Sequence, residues 1–273
     1  CWGGLTHNLW CANRQCQTCC AAIQSGRVQG LKMRVTVNEE FIQKRAKYTR
    51  WASFVGLGIL ALGFAISLNE AYFFWSLPAL AIGLVLASFS GFNANRYVKE
   101  PRPDQVLAKS LRGFDKSYHL FNYTAPIPHV LLTPSRVYAV LVKLHDGVVR
   151  REGNRWRRNF TIRRFIFLFG EEGLGNPTRD AHNLAESLYR DLAEAFGEEA
   201  PPVEPIVIFT NPNVQLELGQ APEGETDDVP VLMSSNLKKY IRSQPKGTAL
   251  DADVRKRLAV FLAGAESSQG DDE

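Results

Sequence analysis

Two uncharged apolar runs near the start of the chain restrict its possible folds more than any other feature. The first covers residues 51–68 and the second residues 71–92, and only Asn69 and Glu70 separate them. A bilayer core about 30 Å thick requires about 20 apolar residues in a helix that rises about 1.5 Å per residue. The pair therefore predicts a transmembrane helical hairpin. The alternative, a buried hairpin of a soluble domain, is disfavoured by the length of the uncharged runs.

The residues around the two runs predict how the hairpin is oriented. Trp51, Tyr72 and Trp75 lie near the ends of the runs, where aromatic side chains anchor helices at a membrane surface, and Pro78 is tolerated in a lipid-embedded helix. Positive charge stays on the cytosolic side. We therefore predict an integral membrane protein with two spans, both termini in the cytosol and a cytosolic domain on a short tether. The flanking basic residues are Lys44, Arg45, Lys47, Arg50, Arg96, Lys99 and Arg102.

The first 32 residues differ from the rest of the chain, because they hold all five cysteines and the first methionine is Met33. Cys16 and Cys19 have the spacing of a zinc-ligand pair, but no second pair follows at zinc-finger distance. The stretch also lacks the apolar core of a signal peptide. We expect residues 1–32 to be a spurious or disordered leader, followed by a basic cytosolic segment at 33–50.

Composition excludes some classes of protein and leaves others open. A chain that is 45% hydrophobic and 22% charged has enough apolar surface to fold, which excludes general disorder. The net charge of +4 is concentrated in residues 1–93. The remainder of the chain is nearly neutral, so the basic character of the whole chain does not by itself indicate nucleic-acid binding.

The segment after the hairpin alternates between strand and helix patterns. Two apolar runs flank Thr133-Pro134-Ser135, which predicts a β-hairpin whose second strand is central. Residues 178–196 carry leucines at intervals of four, which predicts a long amphipathic helix. We expect one three-layer α/β domain at 98–245, followed at 246–273 by a C-terminal helix and a disordered tail. Further helices are predicted at 104–112, 235–243 and 251–262, and strands at 118–123, 130–132, 137–142, 206–209, 214–218 and 229–233.

Three consecutive runs form a recognisable pattern: Ile127–Leu132, the turn Thr133–Arg136 and the strand Val137–Lys143. These runs resemble the nuclease-related domain (NERD) family of the PD-(D/E)xK restriction-endonuclease-like group. The turn departs from the family pattern, because Arg136 stands where the family has glycine. The resemblance implies a restriction-endonuclease-like fold and, in the family, a magnesium-dependent nuclease site in which carboxylates hold the metal and a lysine assists the chemistry.

By position, the resemblance carries the catalytic roles of the family to Asp104, His129 and Lys143. The two other acids of the family pattern fall on Pro128 and Leu141, which cannot bind a metal ion. We therefore expect these three residues to be remnants of a catalytic site. The domain would then be a pseudoenzyme that has no metal or other cofactor and that acts in binding or assembly.

Another function remains open for the site. The domain could be an active, magnesium-dependent, membrane-tethered nuclease that uses Asp146 with Asp104 and Lys143. Each remnant also has a structural explanation: Asp104 as a charge at a helix N-terminus, His129 as a hydrogen-bonded structural histidine, and Lys143 as a strand-end lysine that reaches solvent.

Seven arginines occur within residues 150–164, with Glu152 as the only acid among them. Such a cluster could bind the phosphate backbone of DNA or RNA, with the nearby Trp156 and Phe160 stacking on bases. It could equally contact membrane lipids, which would make the protein a lipid-contacting scaffold, or it could form an ordinary solvated face. No protein partner is indicated by the sequence. The arginines are Arg150, Arg151, Arg155, Arg157, Arg158, Arg163 and Arg164.

Overall fold

The computed structural model of the chain describes residues 32–153, 155–159, 173–219, 229–245 and 247–264. Within these ranges the chain forms a helical hairpin and a mixed α/β domain. The predictions for the cysteine-rich leader, for Arg163 and Arg164, and for the C-terminal tail lie outside the described residues.

The two apolar runs form the long helices of a hairpin. Helix α1 is Glu39–Ser67 and helix α2 is Phe73–Tyr97, and a short 3-10 turn, Glu70–Tyr72, joins them. The side chains of Asn38 and Asn69 accept backbone hydrogen bonds of 2.9 and 3.0 Å at the starts of α1 and of the turn. These bonds satisfy amides that a helix N-terminus leaves without partners. Both helices are long and apolar enough to cross a membrane.

Small and polar side chains line the seam between the two helices. Seam residues recur every seven positions, as Thr49, Gly56 and Gly63 on α1 and as Ser76, Gly83 and Ser90 on α2. A Cβ atom added to Gly83 would lie 2.7 Å from the Cγ atom of Leu60, so the two backbones approach too closely for a larger residue. A repeat of small residues at this spacing is typical of helix pairs that associate in lipid through close backbone contact.

Large apolar side chains cover the outside of the hairpin. Phe54 and Phe74 are 76% and 82% exposed, and Trp51, Tyr72 and Trp75 are exposed as well. A hairpin within a soluble domain would bury such side chains against the core, and a surface patch of this extent marks an interaction with another apolar phase. The arrangement, with small residues inside and large ones outside, favours lipid as the surroundings of the hairpin.

The α/β domain is built from strands and shorter helices. In chain order the strands are β1 (Arg34–Val37), β2 (His119–Asn122), β3 (His129–Leu132), β4 (Val137–Lys143), β5 (Gly147–Glu152), β6 (Arg155–Arg158), β7 (Val203–Phe209), β8 (Val214–Leu218) and β9 (Val231–Met233). The helices are α3 (Pro103–Ser110), α4 (Pro177–Phe196), α5 (Ser234–Ser243) and α6 (Ala252–Leu262).

Six strands form the main sheet in the order β1-β2-β3-β4-β7-β9. Strand β3 is antiparallel to both of its neighbours, and the other pairs are parallel. The predicted β-hairpin is present, with Val130 of β3 paired to Ala139 of β4. Strand β4 lies between β3 and β7, as expected for a strand that is apolar on both faces.

Helices cover both faces of the main sheet, so the domain has three layers. Leu107 of α3 and Leu237 of α5 belong to the core on one face. Leu188 of α4 and Leu258 of α6 belong to the core on the other. Burying a side chain of this size stabilises the fold by about 1.5–3 kcal/mol. The mixed α/β fold after a helical hairpin, expected from the sequence, is confirmed.

A second, three-stranded sheet in the order β6-β5-β8 lies beside the main one. Val149 of β5 and Val214 of β8 share a core with Ala181 of α4 and Phe209 of β7. Strand β8, at the predicted position 214–218, lies at the edge of this sheet. Helix α4 therefore supports both sheets.

The domain extends past residue 98 at its beginning, because strand β1 precedes the hairpin in the chain. Residues 33–50 are predicted as a basic segment outside the domain, but Arg34–Val37 form the edge strand of the main sheet and Met33 is buried. Only Asn38 separates β1 from α1. The hairpin is thus inserted into the domain, which replaces the expected picture of a domain on a short tether. A strand of four residues, half of them exposed, leaves too short a pattern to identify.

Helix α6 extends the domain at its other end. Leu258 and Leu262 are fully buried in the core that α4 also covers. The Thr124 hydroxyl donates a 2.8 Å hydrogen bond to the carbonyl of Leu262. The folded core therefore runs beyond residue 245, where the sequence places the end of the domain.

Candidate functional site

The carboxyl ends of the parallel strands meet at one edge of the main sheet, which we call the carboxyl edge. Strands β1, β2, β4 and β7 end there, at residues 37, 122, 143 and 209. Because α1 begins directly after β1, the base of the hairpin lies at this edge. Open α/β sheets bind their ligands outside the carboxyl ends of their strands, so this edge is where a functional site is expected.

Tyr123 connects the carboxyl edge to the hairpin. Its ring lies 5.9 Å from that of Phe41 on α1 and 5.7 Å from that of Tyr97 on α2, measured between ring centroids. The backbone of Tyr123 has a φ of +59°, a conformation that is uncommon outside glycine. Burial, with a smaller contribution from Asp104, raises the pKa of the Tyr123 hydroxyl well above its ordinary value. The hairpin and the sheet are therefore packed through aromatic rings.

Asp104 lies in the first turn of α3, where it is buried and bound by arginine. The Nε and Nη2 atoms of Arg102 donate hydrogen bonds of 3.2 Å to the two carboxylate oxygens of Asp104. The same guanidinium donates to Glu39 at the start of α1, at 3.0 and 3.3 Å. Both oxygens of Asp104 are thus engaged in an ion pair that joins α3 to the base of the hairpin.

His129 is buried at the start of β3. Its Nδ1 atom lies 2.8 Å from the Oδ1 atom of Asn122, and its ring meets that of Tyr123 edge to face at 4.9 Å. Burial, together with the positive charge of Arg96, lowers the pKa of His129 to about 3. The histidine is therefore neutral at physiological pH, and its contacts are those of a hydrogen-bonded structural residue.

Lys143 is the last residue of β4, and its side chain is only 3% exposed. The prediction that this lysine reaches solvent is therefore wrong. Its Nζ atom lies 3.3 Å from the Oδ2 atom of Asp180, in the first turn of α4. A buried lysine needs such a partner, because removing its charge from water is costly. Asp180 was not predicted from the sequence, although an acid in the first turn of the long amphipathic helix was an available signal.

The residues present do not fit a magnesium ion of the kind that the family resemblance implies. Asp104 forms an ion pair with Arg102, the side chain of Pro128 has no atom that can bind a metal ion, and the side chain of Leu141 packs in an apolar core. Asp146, the substitute acid, forms an ion pair with Arg158. Within the described residues, no group of three or more His, Cys, Asp or Glu side chains could hold a metal ion. Magnesium prefers several hard oxygen ligands, and this donor set does not provide them.

The arginine-rich segment forms β5 and β6, where most of its described arginines have acidic or aromatic contacts. The sequence suggests that Glu152 alone opposes them. Strand pairing places Glu217 of β8 opposite Arg150, and these two side chains form an ion pair. Arg158 binds Asp146, and the Arg151 guanidinium lies 5.8 Å from the Trp156 ring centroid. The segment is therefore less positive than its sequence indicates, because Asp146 and Glu217 come to it from outside residues 150–164.

One of the comparisons with known proteins supports the resemblance. The family model of the nuclease-related domain (NERD) matches residues 93–210, a range that covers α3, the β3–β4 hairpin, the second sheet up to β6, and α4 and β7. No curated protein and no solved structure matches the chain. The family model therefore confirms the resemblance to the nuclease-related domain family over residues 93–210 of this chain.

Proposed function

We propose that this protein is a membrane-anchored nuclease-related domain that has no metal-dependent nuclease activity and acts in binding or assembly. The observation that carries the proposal is that Asp104, the acid retained from the family pattern, is already bound by an arginine. Both oxygens of Asp104 accept hydrogen bonds from Arg102, and an apolar leucine stands at position 141. A metal ion would have to displace the guanidinium and would then find too few carboxylates.

The membrane location is supported by the hairpin. Its large apolar side chains point outward, and its seam is made of small residues. Basic residues lie at the domain end of both helices, and Glu70 is the only charged residue at the turn. By the positive-inside rule, the domain and both chain termini belong to the cytosol.

A second candidate function is favoured by one contact. The carboxylate of Asp180 is 44% exposed and lies 3.3 Å from Lys143, so an acid and the strand-end lysine are neighbours after all. In an active nuclease this acid, rather than Asp146, would replace the one missing at position 141. Asp146 is unsuited to that role, because it is bound to Arg158.

A cleavage assay separates the two candidates. The full-length chain in lipid nanodiscs is incubated with Mg²⁺ and with single-stranded DNA, double-stranded DNA and RNA. We expect no cleavage above the level of Lys143→Ala. Cleavage that both Lys143→Ala and Asp180→Asn abolish, and that Asp191→Asn, a control at another acid of α4, retains, would establish the active enzyme and overturn the proposal.

A further inference from the structure

A cavity of about 340 Å³ lies where the base of the hairpin meets the carboxyl edge. The last turns of α2 and the segment after it form one wall, with Phe92, Arg96 and Lys99. The residues that follow β4 and β7 form the other wall, including Leu144 and Thr210. Its lining combines apolar side chains such as Phe92 and Leu144 with a larger number of polar and charged ones, and a concave site of this size can hold a small polar ligand.

The position of the cavity along α2 matches the surface of a membrane. The uncharged run of α2 ends at Phe92, and Arg96 lies one turn later with its guanidinium 5.1 Å from the Phe92 ring centroid. Lys99 follows after the helix ends. In the wall formed by α2, the apolar part therefore begins at the depth of the acyl chains, and the cationic part lies at the depth of the lipid headgroups.

The polar groups of the cavity suit a phosphate. Lys99 is exposed and forms no ion pair with any described residue. Thr210 is 6% exposed, and its hydroxyl has no hydrogen-bond partner among the described residues. Two carboxylates also line the cavity, those of Glu100 and Asp146. Asp146 forms an ion pair with Arg158, and Glu100 is exposed to solvent. A buried hydroxyl without a partner is costly, and a ligand oxygen would satisfy it.

We propose that this cavity binds the phosphate headgroup of an anionic phospholipid. The lipid's acyl chains lie along the outside of α2, Lys99 and Arg96 attract the phosphate, and the Thr210 hydroxyl donates a hydrogen bond to a headgroup oxygen. The inference rests on the proposed membrane location. It adds to that location a specific lipid site, and it places the site on the nuclease-related domain as well as on the hairpin.

The test is a lipid titration of the full-length chain in detergent, followed by native mass spectrometry. The probe is dioctanoyl phosphatidylglycerol. We expect one saturable lipid, and a roughly thirty-fold rise in its dissociation constant in Lys99→Glu, since each basic residue near the headgroups contributes about 1 kcal/mol and reversal changes two charges. Thr210→Val should raise the dissociation constant about five-fold through loss of one hydrogen bond, whereas Thr210→Ser retains the hydroxyl and the affinity.

The matched control is Lys47→Glu, which makes the same charge change at the base of α1, outside the cavity. Equal weakening by Lys47→Glu and Lys99→Glu would mean diffuse attraction and would overturn the site. Equal affinity for dioctanoyl phosphatidylcholine would do the same. Competition by glycerol 3-phosphate at equal concentration would identify a soluble phosphate ester as the ligand and overturn the lipid assignment.

Membrane extraction separates failure of this inference from failure of the proposed function. The same variants are washed from membranes with alkaline carbonate. A chain that the wash releases is not integral to the membrane, which contradicts the proposed function itself. A chain that stays in the membrane but retains no saturable lipid contradicts the lipid site alone.

Discussion

Burial of His129 at the carboxyl edge makes its protonation a matter of stability rather than catalysis. Its Nδ1 atom is hydrogen-bonded to Asn122 and its ring contacts Tyr123, so a charged imidazolium there would lose the hydration that it has in the unfolded chain. The pKa of His129 falls from 6.5 to about 3 on folding. In the interval between these values the unfolded state binds the additional proton, so acid favours unfolding.

We predict that His129 makes the domain acid-sensitive between pH 7 and pH 5. Because the pKa is depressed in the folded state, the stability is present above pH 6.5 and is lost progressively as the pH falls toward 3. The loss at pH 5 from this residue alone should be about 2 kcal/mol. Chemical denaturation at the two pH values measures it, and His129→Gln should lower the stability at pH 7 while reducing the difference between pH 7 and pH 5.

The matched control is His182→Gln, because His182 lies exposed on α4. This variant should keep the pH dependence of the wild type. A pH dependence that His129→Gln leaves unchanged would show that the buried histidine does not cause the acid sensitivity.

At the scale of the element, a glycine of the hairpin is needed for packing only where it faces the other helix. A Cβ atom at Gly83 would meet Leu60 within 3 Å, whereas a Cβ atom at Gly58 would meet nothing within 4 Å. The two glycines lie in the two helices of one hairpin. Their substitution by alanine therefore compares crowding of the seam with the general effect of alanine in a helix.

We predict opposite effects for these two substitutions. Gly83→Ala should destabilise the hairpin by about 1–3 kcal/mol, because inserting atoms into a closely packed interface forces the helices apart. Gly58→Ala should be neutral or stabilising by up to about 1 kcal/mol, because alanine favours the helix. Tryptophan fluorescence during dodecyl sulfate titration measures both. Equal destabilisation by the two variants would contradict the close approach at Gly83.

Elements with a long, repeated pattern could be predicted from the sequence. The hairpin followed from two uncharged runs, α4 from its leucines, and the β3–β4 pair from two apolar runs around a Pro-Ser turn. In each of these elements the sequence pattern is local, so neighbouring residues carry the information. Strand β1 could not be predicted, because its four residues are stabilised by β2, more than 80 residues away in the chain.

The candidate site could be predicted only in part, for the same physical reason. Positions 104, 129 and 143 follow from local runs, but their partners come from distant segments. Arg102 and Glu39 bind one another across the inserted hairpin, Asp180 reaches Lys143 from α4, and Glu217 reaches Arg150 through strand pairing. These ion pairs decide whether a charge is available to a ligand, and no local pattern reveals them.

At the scale of the whole molecule, the hairpin is an insertion in the α/β domain, and this makes the two parts one unit. The chain leaves the sheet from β1, crosses the hairpin and returns to the domain at α3. Ile42 at the base of α1 is buried, and Phe41 stacks on Tyr123. The base of the hairpin therefore contributes to the domain, whereas its apolar upper part does not.

We predict that removing only the apolar part leaves a soluble, folded domain. Across the seam, Gly56 faces Ala87 and Gly63 faces Ala79, so Arg50 and Asn93 stand level on the two helices. A short Gly-Ser turn can therefore replace residues 51–92 in a chain that begins at Lys32. The resulting protein keeps β1, Met33 and Ile42. It should elute as a single species in gel filtration without detergent and unfold cooperatively when followed by circular dichroism.

A chain that begins at residue 98 is the comparison, because it matches the domain expected from sequence alone. It lacks β1, which uncovers the backbone edge of β2, and it loses the buried side chains Met33 and Ile42, each contributing about 1.5–3 kcal/mol. An unpaired strand edge beside exposed core also promotes association between chains. This shorter chain should aggregate or unfold at a lower temperature than the joined chain. Equal stability of the two would mean that β1 and the base of the hairpin are dispensable, and that the domain and its anchor are separate units after all.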